Sequence, residues 1–300
     1  AFEISHRTGA KYTPYCQPVD VIFNGEYRGC YQLCDQIDVR KGRVDIKEMK
    51  PEDNTAEALS GGYLIEIDAY ASKEPCYFWS SKGIPVTIKS PDDDKITSQQ
   101  KKYIQEAFNN LETRVFSDNF IHESWGYYKY FDIDSFLKHF IVGELSGNTD
   151  TYWSTYMYKE RGDEKIYTGP VWDFDYGTFN FEYKDGQYPD GSYWYPEHVK
   201  RYELYLEDGI WYAHLFKNAK MKALAKERWA ELKPKFETMP GFIRENGEYL
   251  KESAKENFQI WPRGTGLNYD EHLSYDDAVE KMANVVAERI KNTDDAIKRW

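Results

Sequence analysis

The chain has 300 residues, 41% hydrophobic and 30% charged, with a net charge of −12 from 51 acidic against 39 basic side chains. At this length about three-quarters of the unfolded surface can be buried, enough for one sizeable core or for two lobes that share one. The acidic balance leaves no basic stripe to neutralise a nucleic acid, and no uninterrupted apolar stretch reaches the roughly 18 residues of a transmembrane segment.

In chain order, the first segment reads AFEISHRTGA, with no initiator methionine and no apolar signal core, as expected of a cut or processed form. Val19 to Phe23, Asn24-Gly25 and Tyr27 to Leu33 predict a hairpin, because Asn-Gly accepts the backbone of a tight turn between β-branched and aromatic flanks. Cys30 and Cys34 fall on one face of its second strand about 13 Å apart, too far to bridge each other. With Cys16 and Cys76 they form no CxxC pair, and the six His make no metal-ligand repeat, so a zinc site is not expected. Four cysteines leave the redox compartment open. Lys50 to Ser60 is polar and reads as a loop. Gly62 to Tyr70 then alternates Tyr63, Ile65 and Ile67 against Leu64, Glu66 and Asp68, and Ile84 to Lys89 forms another short strand.

The period changes at Thr97. Thr97 and Gln100 form a capping box ahead of Ile104, Phe108, Leu111 and Val115 at helical spacing. Asp132 or Asp134 caps a second helix with Phe136, Leu137, Phe140, Ile141 and Leu145 on its stripe and Gly147 at its end. Glu144 shares that apolar face and so needs a buried partner, which the reading assigns to nearby backbone. Strands return at Thr155 to Tyr158 and Ile166 to Asp173 around the turn Arg161-Gly162-Asp163-Glu164. Beyond Glu197 the chain reads as helical, ending in a helix capped by Ser274 with Val279, Met282, Val286, Ile290 and Ile297 on one face. This order predicts an α+β fold, with a β-rich region over 1–96 and a mainly helical one over 97–300 that embeds a β-hairpin at 155–173.

That embedded hairpin carries the chemistry. It is preceded by Gly147-Asn148-Thr149-Asp150 and followed by Trp172-Asp173-Phe174-Asp175-Tyr176-Gly177. Two antiparallel strands return the chain to its starting edge, so Asp150 and Asp173 are expected close together. Protein kinases place an Asp on a loop to position the attacking hydroxyl and a second Asp after the next hairpin to hold magnesium. Phosphoryl transfer suits such acids, since the protein mainly positions groups and neutralises charge around the γ-phosphate. Taken singly, Asn148, Asp150, Asp173 and Asp175 are ordinary turn formers, caps or strand-end residues.

These pieces resemble the CotH (spore-coat protein H) kinase family, an atypical branch of protein kinases. The resemblance is carried by NGEYRGCY at 24–31, GGYLIEID at 61–68, IKSP at 88–91, ELSGNTD at 144–150 and PVWDFDYG at 170–177, and it extends to the C-terminal helices. It implies a bilobal kinase-like fold, entered part-way through its N-terminal lobe, that uses ATP with Mg2+ or Mn2+ to phosphorylate protein Ser or Thr. By resemblance, Asp150 is the catalytic acid and Asp173 the metal acid, with Asp175 second in line and Asn148 and Ser154 as further metal ligands. Lys89 matches the phosphate-pairing strand lysine and Glu66 its anchor. Asn24 and Arg28 belong to the turn that resembles the phosphate-covering hairpin. One departure stands out: where the family places an Asn after the catalytic Asp, this chain has Ser154 or Thr155, and the segment is one residue shorter. A hydroxyl is the weaker oxygen ligand, which points to reduced metal affinity or activity.

Glu182 to His198 packs Tyr183, Tyr188, Tyr193, Trp194 and Tyr195 among Gly, Pro and Asp in a long irregular loop. The chain's 26 Tyr and 9 Trp suit ligand-facing surfaces as well as cores. This supports a competing reading, a surface glycan-binding or adhesion module that kept the fold and lost the chemistry. A metal-dependent phosphohydrolase would use the same acids with water as acceptor. The resemblance implies an extracytoplasmic or cell-surface setting and a surface or coat protein as substrate.

Overall fold

Asn24 and Gly25 both take left-handed backbone, with φ of 52° and 80°, as the two central positions of a type I′ turn require. They join strand β1 (Cys16–Phe23) to β2 (Glu26–Cys34), and this pair forms a two-stranded sheet of its own. The computed structural model describes residues 1–117, 126–148, 151–174, 178–179, 210–262 and 273–300. Helix α1 (Phe2–Thr8) precedes the hairpin and buries Ile4 in the main core. Its seven residues are too few for a periodicity to announce it. A second short helix, α2 (Ala56–Leu59), lies in the polar stretch read as a loop and starts where the Thr55 side chain accepts from the Ala58 N–H.

The main sheet has five antiparallel strands in the order β4-β5-β3-β6-β7. These are β3 (Tyr63–Asp68), β4 (Tyr77–Trp79), β5 (Pro85–Ser90), β6 (Ser154–Lys159) and β7 (Tyr167–Thr168). The embedded hairpin therefore joins the same sheet as the strands of the first ninety residues, with β6 directly beside β3. Its second strand is shorter than the expected Ile166 to Asp173. Gly169 takes a φ of 114°, and Pro170 has no N–H to give to a ladder.

Alternation along β3 separates two faces as expected. Tyr63, Ile65 and Ile67 are buried in the main core with Val86, Ile88 and Met157. The opposite face carries Leu64, Glu66 and Asp68, and the strand register sets Glu66 opposite both Thr87 and Tyr156, and Asp68 opposite Ser154.

Helix α3 (Ser98–Val115) opens on the predicted capping box, formed in both directions between Thr97 and Gln100, and buries Ile104, Phe108, Leu111 and Val115. Helix α4 (Ile133–Ser146) is capped by Asp132, whose carboxylate accepts from the Ser135 N–H at 2.8 Å, and ends at Gly147 with a φ of 64°. The remaining helices are α5 (Ile210–Leu215), α6 (Ala219–Phe236), α7 (Met239–Ile260) and α8 (Tyr275–Lys298). Ser274 caps α8, and Val286, Ile290 and Ile297 are buried as expected, whereas Met282 is 41% exposed. The architecture is α+β, with helices α3, α4, α6 and α8 contributing to the core on one side of the sheet.

The first hairpin docks on α7. Asn257 Oδ1 accepts from the Cys30 N–H at 2.9 Å, and Trp261 Nε1 donates to the Arg28 carbonyl at 3.0 Å. A Cβ on Gly29 would fall 2.7 Å from Asn257 Oδ1 and 2.8 Å from Trp261 Nε1, so the close approach needs glycine.

Candidate active site

Glu66 sits mid-strand on the face of the sheet away from the main core, only 7% exposed. A carboxylate removed from water requires partners, and neighbouring strands supply them. Lys89 Nζ from β5 lies 3.0 Å from Oε2, and Ser154 Oγ from β6 donates to Oε1 at 3.0 Å. Burial pushes the Glu66 carboxyl above the usual glutamate range, while the Lys89 charge and the Ser154 hydroxyl oppose that shift. Beside it, Tyr156 of β6 stands directly opposite Glu66 in the sheet. Burial, then the negative charges of Glu66, Asp173 and Asp68, push the Tyr156 phenol up. Asp68 in turn accepts from Thr87 Oγ1 at 3.0 Å.

Lys89, Tyr156 and Trp172 line a cleft of about 840 Å³, within the range of pockets that hold small molecules and cofactors. Its walls bring Arg40, Lys41 and Lys95 to the same space, interleaved with Asp38, Glu48 and Asp92. Cations gathered around a polar cleft are what a polyphosphate needs, because each charge-assisted contact to a phosphate oxygen is about twice as strong as a neutral one.

The loops at the two ends of the β6–β7 hairpin meet. Asn148, 2% exposed beyond the end of α4, donates its amide to the Asp173 carbonyl at 3.3 Å. Asp173 itself is exposed and holds a left-handed φ of 64°. That conformation costs a non-glycine residue about 1 kcal/mol or more and concentrates at functional sites.

The chain just past residue 150 is tied to α4. The Thr151 carbonyl accepts from His139 Nε2 at 3.0 Å and from Thr155 Oγ1 at 2.7 Å. A Cβ on Gly143 would fall 2.6 Å from Thr151 Oγ1. Tyr152 Oη donates to Glu144 Oε1 at 3.4 Å. Burial pulls the pKa of His139 down to about 4, with the Thr151 carbonyl opposing, so the ring is neutral and presents Nε2–H to that carbonyl. Glu144 is fully buried and, rather than relying on backbone, pairs with Arg289 of α8. Arg289 Nη2 lies 2.9 Å from its Oε2, and Arg289 Nε donates to the Glu144 carbonyl at 2.7 Å.

The structure thus brings Glu66, Lys89 and Ser154 together, and joins Asn148 to Asp173, with Tyr156 feeling the charge of both Glu66 and Asp173. Of the two hydroxyls that stand where the family has an Asn, Ser154 faces Glu66, whereas Thr155 is turned into the core. Asn24 and Arg28 are not brought to this group. The Arg28 side chain pairs with Glu26 at 2.6 Å, and its carbonyl is held by Trp261. Asp150, Asp175 and the aromatic stretch 182–198 lie outside the described residues. Sequence reasoning missed Tyr156, whose place follows from alternation with Ser154, and Arg289, which no local pattern announces.

Among the described residues, no group of three or more His, Cys, Asp or Glu side chains is arranged to hold a metal. Magnesium in phosphoryl-transfer sites keeps several waters and is bound through only one or two carboxylates together with substrate phosphates, so such a site needs no cluster of three acids. No helix among the described residues is long and apolar enough to cross a membrane. A family model described as CotH kinase protein matches residues 1–293. No curated protein matches the chain.

Proposed function

The chain belongs to the CotH kinase family, and on that premise we propose that it transfers the γ-phosphoryl group of ATP to a protein Ser or Thr hydroxyl with a divalent metal. One observation carries the reading: Lys89, held 3.0 Å from the buried Glu66, stands on the wall of a cleft of about 840 Å³. In this reading the fold is kinase-like, with residues 1–96 supplying most of the N-terminal lobe and 97–300 the helical C-terminal lobe, whose embedded hairpin at 155–173 adds β6 and β7 to the sheet of the N-terminal strands.

Phosphoryl transfer asks the protein to position the reactants and balance charge. Lys89 is the point charge for a non-transferred phosphate, and Glu66 fixes where that charge stands. Asp150 orients the acceptor hydroxyl. Asp173, with Asp175 second, supplies carboxylate oxygen to Mg2+ or Mn2+, and Asn148 and Ser154 are the further donors. The metal, when bound, neutralises charge on the phosphates. Ser154 also donates to Glu66, so it orients the ion pair from the side where the family has an Asn. The family's association with the spore coat supports an extracytoplasmic site and a coat or surface protein as substrate.

The test is thermal unfolding with ATP, with and without Mg2+ or Mn2+, on the wild type, Asp150→Ala and Asp173→Ala. Saturable, metal-dependent stabilisation of about 2.7 kcal/mol at a hundredfold excess over Kd is expected, with the metal dependence lost in Asp173→Ala. Asp150→Ala should bind yet transfer no phosphate to protein. Stabilisation by oligosaccharide and not by ATP, or phosphate release with no labelled acceptor protein, would contradict the reading.

A further inference from the structure

The first hairpin carries three of the four cysteines, and its register decides which of them are partners. Cys16 of β1 stands directly opposite Cys34 of β2. In an antiparallel pair, opposed residues alternate between hydrogen-bonded positions and non-hydrogen-bonded positions, where the Cα atoms approach to about 4.5 Å. The next pair outward is Tyr15 with Asp35, and the Asp35 N–H donates to the Tyr15 carbonyl at 2.9 Å. Position 15 is therefore hydrogen-bonded and position 16 is not.

Two further observations agree. Pro18, opposite Gln32, has no N–H and so occupies a position that asks the ladder for none. Cys30, opposite Asp20, points its N–H outward to Asn257 Oδ1 at 2.9 Å rather than across to β1. The pairs 16–34, 18–32 and 20–30 thus all fall at non-hydrogen-bonded positions.

A disulfide needs Cα atoms roughly 4.4–6.8 Å apart with Cβ atoms facing each other, and a non-hydrogen-bonded pair provides both. Cys30 lies four positions along the strand from Cys34, about 13 Å away, and Cys76 is buried in the main core. Cys16 and Cys34 are both half-buried, within reach of a small oxidant. We propose that Cys16 and Cys34 form a cross-strand disulfide that closes the open end of the hairpin in an oxidising compartment.

With oxidised glutathione as oxidant, one cysteine thiolate attacks a glutathione sulfur and expels the first glutathione thiolate. The second cysteine thiolate then attacks the protein sulfur of the mixed disulfide, forming the Cys16–Cys34 bond and expelling the second. The two protons lost by the cysteines end on the two glutathione thiols, and two electrons reduce the glutathione disulfide.

The test is to incubate the full chain with oxidised glutathione, alkylate the remaining thiols under native and then unfolding conditions, and map the peptides by mass spectrometry. Alkylatable thiols should fall from four to two, with one linked peptide joining Cys16 to Cys34. The double variant Cys30→Ser/Cys76→Ser should keep that link. Cys16→Ser should leave Cys34 alkylatable or carrying a glutathione. Retention of all four thiols, or a link that includes Cys30 or Cys76, would overturn the proposal. A second reading uses a protease that cuts at the exposed hairpin tip, after which the fragments should stay joined until reduced. Fragments that separate without reductant would overturn it equally.

Discussion

Two glutamates of this molecule are almost completely buried and salt-bridged, and their surroundings differ. Glu144 is 0% exposed, and its partner Arg289 is equally withdrawn, so helices α4 and α8 close over a dry pair. Glu66 is buried as well, but its partner Lys89 keeps 28% of its side chain exposed at the edge of the cleft. Removing two ions from water rarely pays for itself. The first pair fits a structural lock that orients helices around the core. The second leaves one ion able to meet an incoming anion, which a purely structural pair would not do.

The comparison breaks most visibly at Arg289. Arg289→Met leaves the Glu144 carboxylate buried without its cation and should cost about 3–5 kcal/mol in urea unfolding, whereas Glu144→Leu combined with Arg289→Met should recover much of that loss. A single variant as stable as the wild type would show that the pair is no lock.

Next in size is acid sensitivity near the same helix. The folded pKa of His139 lies near 4, below its ordinary value of 6.5. The neutral ring is favoured by folding, so this contribution is complete above pH 6.5 and is lost as pH falls towards 4. Wild type should lose stability across that window more steeply than His139→Asn, as measured by thermal unfolding against pH. Parallel curves would refute it.

Gly143→Ala probes the segment beyond residue 150. Its new methyl meets Thr151 and should cost about 1–3 kcal/mol. Phosphoryl transfer should fall more than ATP binding does, because the displaced segment follows Asp150. Equal losses of both would remove that link.

Glu66 gives the smallest effect on stability and the opposite pH sign. Its folded pKa is raised, so its contribution to stability is present below the ordinary glutamate pKa and lost as pH rises through the folded value. Binding behaves inversely. Nucleotide affinity should decline as pH falls through the raised pKa and Glu66 releases Lys89, and Glu66→Gln should flatten that decline. An unchanged profile in the variant would separate Glu66 from the cleft.

What the sequence made legible was local. The Asn24-Gly25 turn, the Thr97 capping box, the Ser274 cap and the alternation of Tyr63, Ile65 and Ile67 against Glu66 each depend on residues within a few positions. Alternation along β3 accounts for Glu66, whereas Lys89 and Ser154 are named by the family resemblance alone, Ser154 as a metal ligand rather than as the partner of Glu66 that it is in the structure. Partners chosen by tertiary packing left no local trace. Arg289 meets Glu144 across 145 positions, and Asn257 meets Cys30 across 227. The first hairpin was read from its turn, yet nothing in NGEYRG says that it docks on α7 instead of joining the main sheet. The expected strand Ile166 to Asp173 shrinks to β7 because Gly169 and Pro170 cannot continue the ladder.

In the proposed reaction Lys89, steered by Glu66, receives nucleotide phosphate. Calorimetric titration of ATP with Mg2+ into the wild type and Lys89→Ala tests it most directly. A charge-assisted contact of about 1.5–3 kcal/mol predicts affinity lowered roughly 10- to 100-fold in Lys89→Ala, read at a temperature where both proteins are folded. Equal affinity in the two proteins, or no binding to the wild type, would contradict it.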